Sequence, residues 1–450
     1  MLTQFFDYLD HLSGYLWSYF TIPLVVTMGL FLTIKMKGAQ ITGFSHAIKT
    51  FYSEAKNKKK GRGVHPISAF FASIGGCIGI GNLVAVCTAI HIGGPGAIFW
   101  MWIAALIGMI IKYAEVYLGI LHRTPNRDGG FDGGPMYYLQ KVTRSRFLPI
   151  LFCLLLAIYG TEVYMFDVMT HTVVENWHIN HYVAIAIFLI SILYATKGGI
   201  HRVGKITTFI LPIFMALFCA MTAWILFLHA AKLPTLFIAI VKSAFQGHAP
   251  LGGFAGGSMM LALSQGVTRA CYSADIGTGN ASIIHAESRQ SDPKKQACLS
   301  ILGIFLDTFV VCTTTAILIL ATGIWSQDVP ASMMVQQALA AHFPYMHYFM
   351  PLFLIVLGYS SIISFSYVGL KCSIFIHPKW GKRGYYLYAC IAFVLFSFVD
   401  QSQALTLMSL TGAGLLCINL WGIYQLRKEI IPLPSSRTTE MNIDTFRSSV

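Results

Sequence analysis

The stretch that decides the fold is residues 73–82, SIGGCIGIGN, where four glycines fall within seven residues of an apolar segment. Each glycine costs about 1 kcal/mol relative to alanine inside a helix, so the run predicts local unwinding. A second apolar segment holds a similar run at residues 251–258, LGGFAGGS. Unwound backbone is tolerated at membrane depth only where it is buried in protein or lines a polar cavity. The alternative is that both runs only allow helices to pack closely.

The rest of the chain has the composition of an all-α integral membrane protein. Of 450 residues, 56% are hydrophobic and only 11% are charged, whereas soluble domains carry about 25% charge. A helix needs roughly 20 apolar residues to cross the hydrocarbon core. Several apolar runs reach this length, and the apolar windows together predict eleven transmembrane helices: residues 15–35, 66–90, 96–121, 147–170, 181–196, 204–229, 251–273, 297–321, 346–370, 384–399 and 404–426.

The positions of the basic residues predict the orientation of these helices. Of the 31 Lys and Arg residues, all but Lys112, Lys232 and Lys242 fall in loops assigned to one side of the bundle, Arg269 among them. Such loops are normally cytoplasmic, which places the N-terminus outside and the C-terminus inside a bacterial cell (inner) membrane. The formal net charge of +13 therefore requires no nucleic-acid partner, and membrane lipid is the expected surrounding.

The two glycine-interrupted spans are the second and the seventh, so they lie five helices apart. Because five is an odd number, the second set of five helices is expected to be inverted relative to the first. Paired interruptions at corresponding positions of two halves indicate a transporter site. There, exposed carbonyls can coordinate a cation, and the N-terminus of a half-helix can hold a carboxylate.

This reading divides the chain into four parts. Residues 1–64 form an extra N-terminal helix and a basic cytoplasmic loop, 65–230 the first repeat, 231–427 the second repeat, and 428–450 a disordered cytoplasmic tail. The ten cysteines stand singly in mostly apolar segments, which is typical of small core residues rather than disulfides or metal ligands. We expect no cofactor and no obligatory protein partner.

Several ionisable residues lie within the predicted spans, where a charge costs a few kcal/mol and is a functional candidate. Asp307 is either an ion-site or gating residue, or the structural partner of a basic side chain. Lys112 and Glu115 are three residues apart and are expected to pair locally. Glu162 could bind an amino group or a proton, whereas Asp167 is expected near the outer interface, in contact with solvent.

Enzymes and channels fit the sequence less well than a transporter. No HExxH, GxSxG or other nucleophile and base pattern stands out. A channel is expected to show repeated pore-lining rings, and one asymmetric pair of broken helices does not provide them. The sequence therefore favours a secondary transporter that works by alternating access.

Several motifs also resemble those of the alanine or glycine:cation symporter family, over residues 16–425. They are GIGN at residues 79–82, GGPGAIFWMW at 93–102, KYAE at 112–115, GGPMYY at 133–138, GGFAG at 252–256, FLDT at 305–308 and SY at 366–367. The resemblance implies a leucine-transporter-type 5+5 inverted repeat preceded by one extra helix. It also implies symport of Na⁺ with a small neutral amino acid of the alanine or glycine type.

Carried over position by position, the resemblance suggests two sets of site residues. The implied sodium ligands are Gly75, Ile78, Leu357, Ser360 and Ser361. The substrate carboxylate is expected near the amides of Ile80 and Gly81, with Phe254 and Phe365 walling the pocket. The full implied substrate set is Cys77, Gly79, Ile80, Gly81, Asn82, Gly253, Phe254, Ala255, Ser361 and Phe365.

The chain departs from the family pattern at three places. Ser364-Phe365 stands where the family commonly has Gly-Trp, which implies a wider pocket. Residues 274–277, ADIG, replace Asn-Glu-Ala-Gly, and the third core helix carries Glu162 and Asp167 where mostly polar, uncharged residues are expected. These differences keep a proton-coupled amino-acid permease of wider specificity as the main alternative, with a channel behind it. The substrate, its enantiomer, the stoichiometry and the oligomeric state stay open.

Overall fold

The computed structural model describes residues 2–57, 61–126, 129–246, 259–399 and 401–433. Eight described helical stretches are long and apolar enough to cross a membrane, and His181–Lys197 is a shorter apolar helix. A two-stranded ribbon pairs β1 (Thr124–Pro125) with β2 (Phe131–Asp132). The α-helices in chain order are α1 (Leu2–Leu16), α2 (Ile22–Lys35), α3 (Ala39–Thr42), α4 (Phe44–Lys56), α5 (Pro66–Cys77), α6 (Gly81–Gly93), α7 (Gly96–Leu121), α8 (Pro135–Val142), α9 (Phe147–Tyr159), α10 (Val163–Trp177), α11 (His181–Lys197), α12 (Gly199–Leu228), α13 (Leu233–Gln246), α14 (Met259–Ser273), α15 (Asn280–Ala286), α16 (Pro293–Ile304), α17 (Thr313–Thr322), α18 (Ala331–Ala340), α19 (Met346–Ile376), α20 (Gly381–Phe396) and α21 (Gln401–Gln425).

The first membrane helix is longer than the predicted window of residues 15–35. α1 and α2 continue into each other through a π-helical turn, Trp17–Thr21, and such turns are often found at functional positions. The Trp17 indole Nε1 donates a hydrogen bond to the carbonyl of Ser409 at 3.0 Å, and the Ser13 hydroxyl donates to that of Ser409 at 2.9 Å. The extra helix is thereby fastened to α21.

The predicted break in the second span is confirmed. α5 ends at Cys77 and α6 begins at Gly81, with the backbone of Ile78 extended between them. The side-chain oxygen of Asn82 accepts a hydrogen bond from the amide of Gly79 at 2.8 Å. This bond satisfies one of the amides that the unwinding releases.

The second break that the structure describes was not predicted at its observed position. The glycine run at residues 251–258 lies outside the described residues. Instead, α14 ends at Ser273 and α15 starts at Asn280, with residues 274–279 unwound between them. Asp275, Gly277 and Gly279 all have positive φ there (53°, 74° and 88°). Two glycines supply this left-handed backbone at little cost, and they stop the helix.

The span predicted at residues 147–170 is interrupted as well. α9 ends at Tyr159, and α10 begins at Val163 and runs on to Trp177. Glu162, at the start of α10, has a φ of 50°. A non-glycine residue in this region costs roughly 1 to 2 kcal/mol, so the surrounding structure must hold Glu162 in place. The span predicted at 297–321 also contains a π-helical segment, Phe305–Cys312.

The described chain stays ordered past the start of the predicted tail at residue 428. The Tyr113 hydroxyl donates to the carbonyl of Ile431 at 2.9 Å, and His122 lies 2.8 Å from the carboxylate of Glu429. Leu433, the last described residue, is buried. Residues 428–433 therefore pack against α7 and its end, and residues 434–450 lie outside the described part of the chain.

The start of α7 lies directly against the backbone of α13. The Gly96 amide donates to the Ser243 hydroxyl at 3.1 Å, and the Trp100 indole donates to the carbonyl of Ala244 at 3.1 Å. A Cβ atom at Gly96 would lie 2.5 Å from the backbone nitrogen of Ala244. This position therefore needs glycine because of close backbone contact.

We expect Gly96→Ala to lower stability by about 1 to 3 kcal/mol, the usual cost of overpacking. Gly303→Ala is the matched control, because its nearest neighbour would be a side-chain carbon 3.7 Å away. Thermal unfolding of the purified protein in detergent measures both. A lowered melting temperature for Gly96→Ala alone supports the packing, and equal melting temperatures would contradict it.

Candidate substrate and ion site

Four of the five residues expected to bind sodium come together between α5 and α19. The Ser361 hydroxyl donates to the carbonyl of Gly75 at 2.9 Å. The Ser360 hydroxyl donates to the carbonyl of Leu357 at 2.9 Å and lies 3.4 Å from that of Gly75. Ile78 lies in the unwound segment that follows Gly75. Neutral hydroxyl and carbonyl oxygens of this kind suit a hard cation.

The end of α5, just before the first break, faces an aromatic and amide surface. A Cβ atom at Gly76 would lie 3.1 Å from the Asn280 side-chain nitrogen and 3.4 Å from the Phe365 ring. The rings of Phe365 and Tyr159 are 5.5 Å apart at their centroids. Phe365, Tyr159 and Asn280 therefore surround the first break. Gly253, Phe254 and Ala255 lie outside the described residues.

Buried polar atoms without a hydrogen-bond partner gather around the two breaks. Within the described residues they include Glu162 Oε2, Asp275 Oδ2 and both amide atoms of Asn280. All three residues are at most 1% exposed. Asp275 acts electrostatically on Glu162, and the Tyr272 phenol interacts with Glu162 as a hydrogen-bonding group, so these three residues are close neighbours. Since nearly all buried polar atoms in proteins are paired, the cluster has the chemistry of a site for a polar ligand.

The two carboxylates share an unusual backbone conformation. Glu162 and Asp275 both have positive φ, and each stands at a helix interruption. The Thr278 hydroxyl donates a hydrogen bond to Oδ1 of Asp275, so only Oδ2 of this carboxylate is without a partner. Strained backbone of this type is often found at binding sites, where it holds side chains ready for a ligand.

Lys112 does not pair with Glu115, so that prediction was wrong. Its ammonium donates to the carbonyl of Ala274 at 2.7 Å and to the thiol of Cys77 at 3.0 Å. Glu115 instead accepts from the side-chain amide of Asn419 at 3.0 Å. Lys112 is therefore a cation at the C-terminal ends of both α5 and α14, where the helix dipole favours positive charge.

Asp307 connects the two broken helices through neutral donors. It accepts from the Asn82 amide at 2.6 Å, from the Thr308 hydroxyl at 2.9 Å and from the Ser273 hydroxyl at 3.3 Å. Among the described residues, no basic side chain forms an ion pair with it. Lys112 acts on Asp307 electrostatically without forming such a pair. The role of Asp307 in an ion site or in gating stays a prediction.

Two further expectations about charged residues need correction. Asp167 is fully buried, with His171 Nε2 3.2 Å away, so it is not solvated at an interface. Arg269 belongs to no loop: it lies within α14, close to Tyr272 and Tyr164. The charge pattern assigned Arg269 to the loop after the seventh predicted span, whereas the helix continues past it to Ser273.

Charged residues close the end of the bundle where α7 and α19 finish. Lys371 lies 2.7 Å from Asp132 of β2 and also pairs with Glu287, just after α15. Arg123 donates to the carbonyl of Ser288 at 2.6 Å. Burial lowers the pKa of Arg123 to about 10, with Glu287 acting in the opposite direction, so it stays charged at neutral pH. These ion pairs and hydrogen bonds connect the two-stranded ribbon to the ends of α7 and α19.

Sequence reasoning missed the contribution of residues 272–280. Asp275 and Asn280 supply three of these unpaired polar atoms. Asp275 was noted only as part of a departure from the family, and Asn280 was not singled out. The signal was available, because an acidic residue followed by Gly277 and Gly279 sits inside an apolar stretch. The prediction was based on glycine density, and residues 251–258 contain more glycines than residues 274–279.

Comparison with known proteins gives the family. A model described as the sodium:alanine symporter family matches residues 2–438. The chain belongs to the sodium:alanine symporter family. The sodium/alanine symporter AgcS of Methanococcus maripaludis is 30% identical over 417 residues, covering 90% of this chain and 90% of its own. A probable sodium/glutamine symporter of Bacillus subtilis, GlnT, is 29% identical and covers 94% of this chain and 89% of its own.

The solved structures support the expected fold. MhsT in complex with L-phenylalanine superimposes with a TM-score of 0.60 at 13% identity, covering 82% of this chain and 90% of MhsT. At that identity the likeness shows the fold alone. The leucine-transporter-type fold is confirmed, and the sodium:alanine symporter family consists of transporters rather than enzymes. This chain is an integral membrane secondary transporter.

We expect Lys112→Met to abolish most transport, because the carbonyl of Ala274 would lose its buried donor. Leaving a buried partner unsatisfied costs about 1 to 3 kcal/mol, which corresponds to roughly a tenfold or larger effect. Lys242→Met, which removes an exposed lysine of α13, is the control. Uptake by reconstituted vesicles checks this, with thermal unfolding of both variants measured in parallel. Uptake at the wild-type rate by Lys112→Met would show that transport does not depend on the Lys112 contacts with Ala274 and Cys77.

Proposed function

We propose that this protein is a symporter that couples Na⁺ to the uptake of a small neutral amino acid. The observation that carries the proposal is the cluster of buried, unpaired polar atoms beside an oxygen-lined group of hydroxyls and carbonyls. Its position between two broken helices suits a midplane transport site. The family and the names of relatives such as AgcS agree with this chemistry.

Sodium is proposed to bind between α5 and α19. The carbonyls of Gly75, Ile78 and Leu357 and the hydroxyls of Ser360 and Ser361 would replace its hydration shell. The two hydroxyls already point to carbonyls of this set, at 2.9 Å in each case. When Na⁺ binds, the carbonyl oxygens would contact the ion instead of the hydroxyl hydrogens, and the hydroxyl groups would rotate so that their oxygens also face the ion. An uncharged donor set of this kind can bind a monovalent cation and release it again.

The amino acid is proposed to bind as a zwitterion across the two breaks. Its ammonium group would face Glu162 and Asp275, whose free oxygens are acceptors. Its carboxylate would lie at the start of α6, near the amides of Ile80 and Gly81, where the helix dipole favours an anion. The Phe365 ring would limit the side chain of the substrate, which favours small neutral residues.

Transport is proposed to follow the alternating-access scheme, with the N-terminus outside and the C-terminus inside a bacterial cell membrane. The Lys371, Glu287 and Asp132 ion pairs would have to separate before substrate leaves on the cytoplasmic side. Downhill Na⁺ entry supplies the work, since moving one charge across 100 mV yields about 2.3 kcal/mol.

We expect Ser361→Ala to raise the Na⁺ concentration for half-maximal alanine uptake by about tenfold. Losing one oxygen ligand costs about 1 to 1.5 kcal/mol, and 1.4 kcal/mol is a factor of ten. Ser366→Ala, a buried serine of the same helix, is the control and should leave the Na⁺ response unchanged. Uptake of labelled alanine into vesicles under an imposed Na⁺ gradient measures both. An unchanged Na⁺ response in Ser361→Ala would show that the ion binds elsewhere.

The main alternative is proton coupling through Glu162. It is supported by the buried, unpaired oxygen of this residue, which can accept a proton. If Na⁺ is the coupling ion, Glu162→Gln should weaken amino-acid binding about tenfold or more, as for loss of one charged hydrogen bond. Its Na⁺ dependence should remain. Glu175→Gln, an exposed residue of the same helix, is the control. Uptake driven by a pH gradient without Na⁺, and lost only in Glu162→Gln, would establish the alternative.

A competition panel in the same vesicles addresses the substrate. Alanine, glycine and serine should inhibit uptake of labelled alanine more strongly than methionine or glutamine, because Phe365 and Tyr159 close the side-chain end. Stronger inhibition by methionine or glutamine would indicate the wider pocket that Ser364-Phe365 suggested.

A further inference from the structure

A second cavity, separate from the central cluster, lies between α1, α14 and α21. Its volume is about 610 Å³, within the range of small-molecule sites. One wall is acidic, with Asp7 and Asp10 on α1, and the opposite wall carries Gln265 and Arg269 on α14. Arg269 is the one basic side chain among the described residues that line it. The cavity thus presents opposite charges on facing walls.

Arg269 has one buried guanidinium nitrogen without a hydrogen-bond partner beside this cavity. Its Nε is buried without a hydrogen-bond partner, and so is the side-chain oxygen of Gln265 beside it. Within the described chain, Arg269 forms no ion pair with a carboxylate. A guanidinium with free N–H groups binds a carboxylate in a bidentate manner.

The acidic wall is held in place by α21. Asp10 accepts a hydrogen bond from the Thr406 hydroxyl at 3.1 Å, and Asp7 is one helical turn away on the same face of α1. Both aspartates are exposed, so they remain hydrated and attract cations. An ammonium group that enters the cavity meets these carboxylates at its rim.

The cavity continues towards the central cluster. A much smaller cavity, of about 20 Å³, shares Trp17, Thr268 and Arg269 with it and reaches Tyr272 and Thr278. Thr278 donates to Asp275, so this path ends at the second break. Trp17 lies between the two spaces, fixed by its bond to the carbonyl of Ser409.

We propose that the cavity between α1, α14 and α21 is an outer binding site for a zwitterionic amino acid, which occupies it before the central site. Arg269 binds the carboxylate, and Asp7 and Asp10 face the ammonium group. Movement of Trp17 then connects this site to the unwound segment at residues 274–279. The inference rests on the proposed function, because it takes the transported amino acid as the ligand. It gives the extra N-terminal helix a direct part in substrate binding.

Equilibrium binding of labelled alanine to the purified full-length protein tests the proposal. Wild type should bind two alanines per chain. Gly76→Leu fills the central site and should bind one alanine per chain. The double variant Gly76→Leu/Arg269→Gln should bind none. Arg202→Gln, on α12 and hydrogen-bonded to the carbonyl of Tyr194, is the arginine control and should leave both. No binding by wild type would refute the proposed function itself, whereas one alanine in wild type and none in Gly76→Leu would refute only the outer site.

A second measurement does not depend on how well Gly76→Leu folds. Ser264→Cys places a thiol in the cavity wall, and alanine should slow its reaction with a water-soluble thiol reagent at least about threefold, the protection given by a ligand at twice its Kd. The same protection should vanish with Arg269→Gln. Lipid headgroups with an ammonium group are the other source of this chemistry. Protection that appears without alanine when phosphatidylethanolamine is added to phosphatidylcholine nanodiscs would overturn the amino-acid assignment.

Discussion

The Lys112 ammonium is the interaction on which the central arrangement depends. Two broken helices leave two C-terminal half-helix ends facing each other in the interior, and each end carries negative partial charge. One lysine contacts both, through the carbonyl of Ala274 and the thiol of Cys77. Without a cation there, the two ends would repel and their carbonyls would lack donors. Lys112 thus fixes the position of one break relative to the other, and the ion and substrate groups follow from it.

The buried acidic residues divide into those that are satisfied and those that are not. Asp307 accepts from three neutral donors on three different segments, so it works as a cross-link. Glu115, Glu162 and Asp275 are equally buried, yet each keeps an oxygen without a partner. Burying an unpaired carboxylate is costly. Glu162 and Asp275, which lie together beside the breaks, are therefore retained at the expense of stability, which is typical of binding groups.

The sequence predicted the membrane fold and the first break because both depend on local composition. Glycine density at residues 75–81 is sufficient to stop a helix, and the serines on α19 stand where hydroxyl ligands are expected. The break at residues 274–279 was not predicted because its cause is spread out: two glycines, a left-handed aspartate and a lysine 162 positions away along the chain. The partners of Lys112, Glu115 and Asp307 could not be predicted, since each is a contact between segments that only the folded chain brings together.

The segment after α21 also has a practical meaning for protein engineering. Residues 428–433 contact α7 through Tyr113 and His122, and Leu433 is buried against Gly43. This short strap ties the last membrane helix to the loop that follows the first. A reporter protein or affinity tag fused at this end should therefore join the chain beyond Leu433, since a fusion point at the end of α21 would remove the strap.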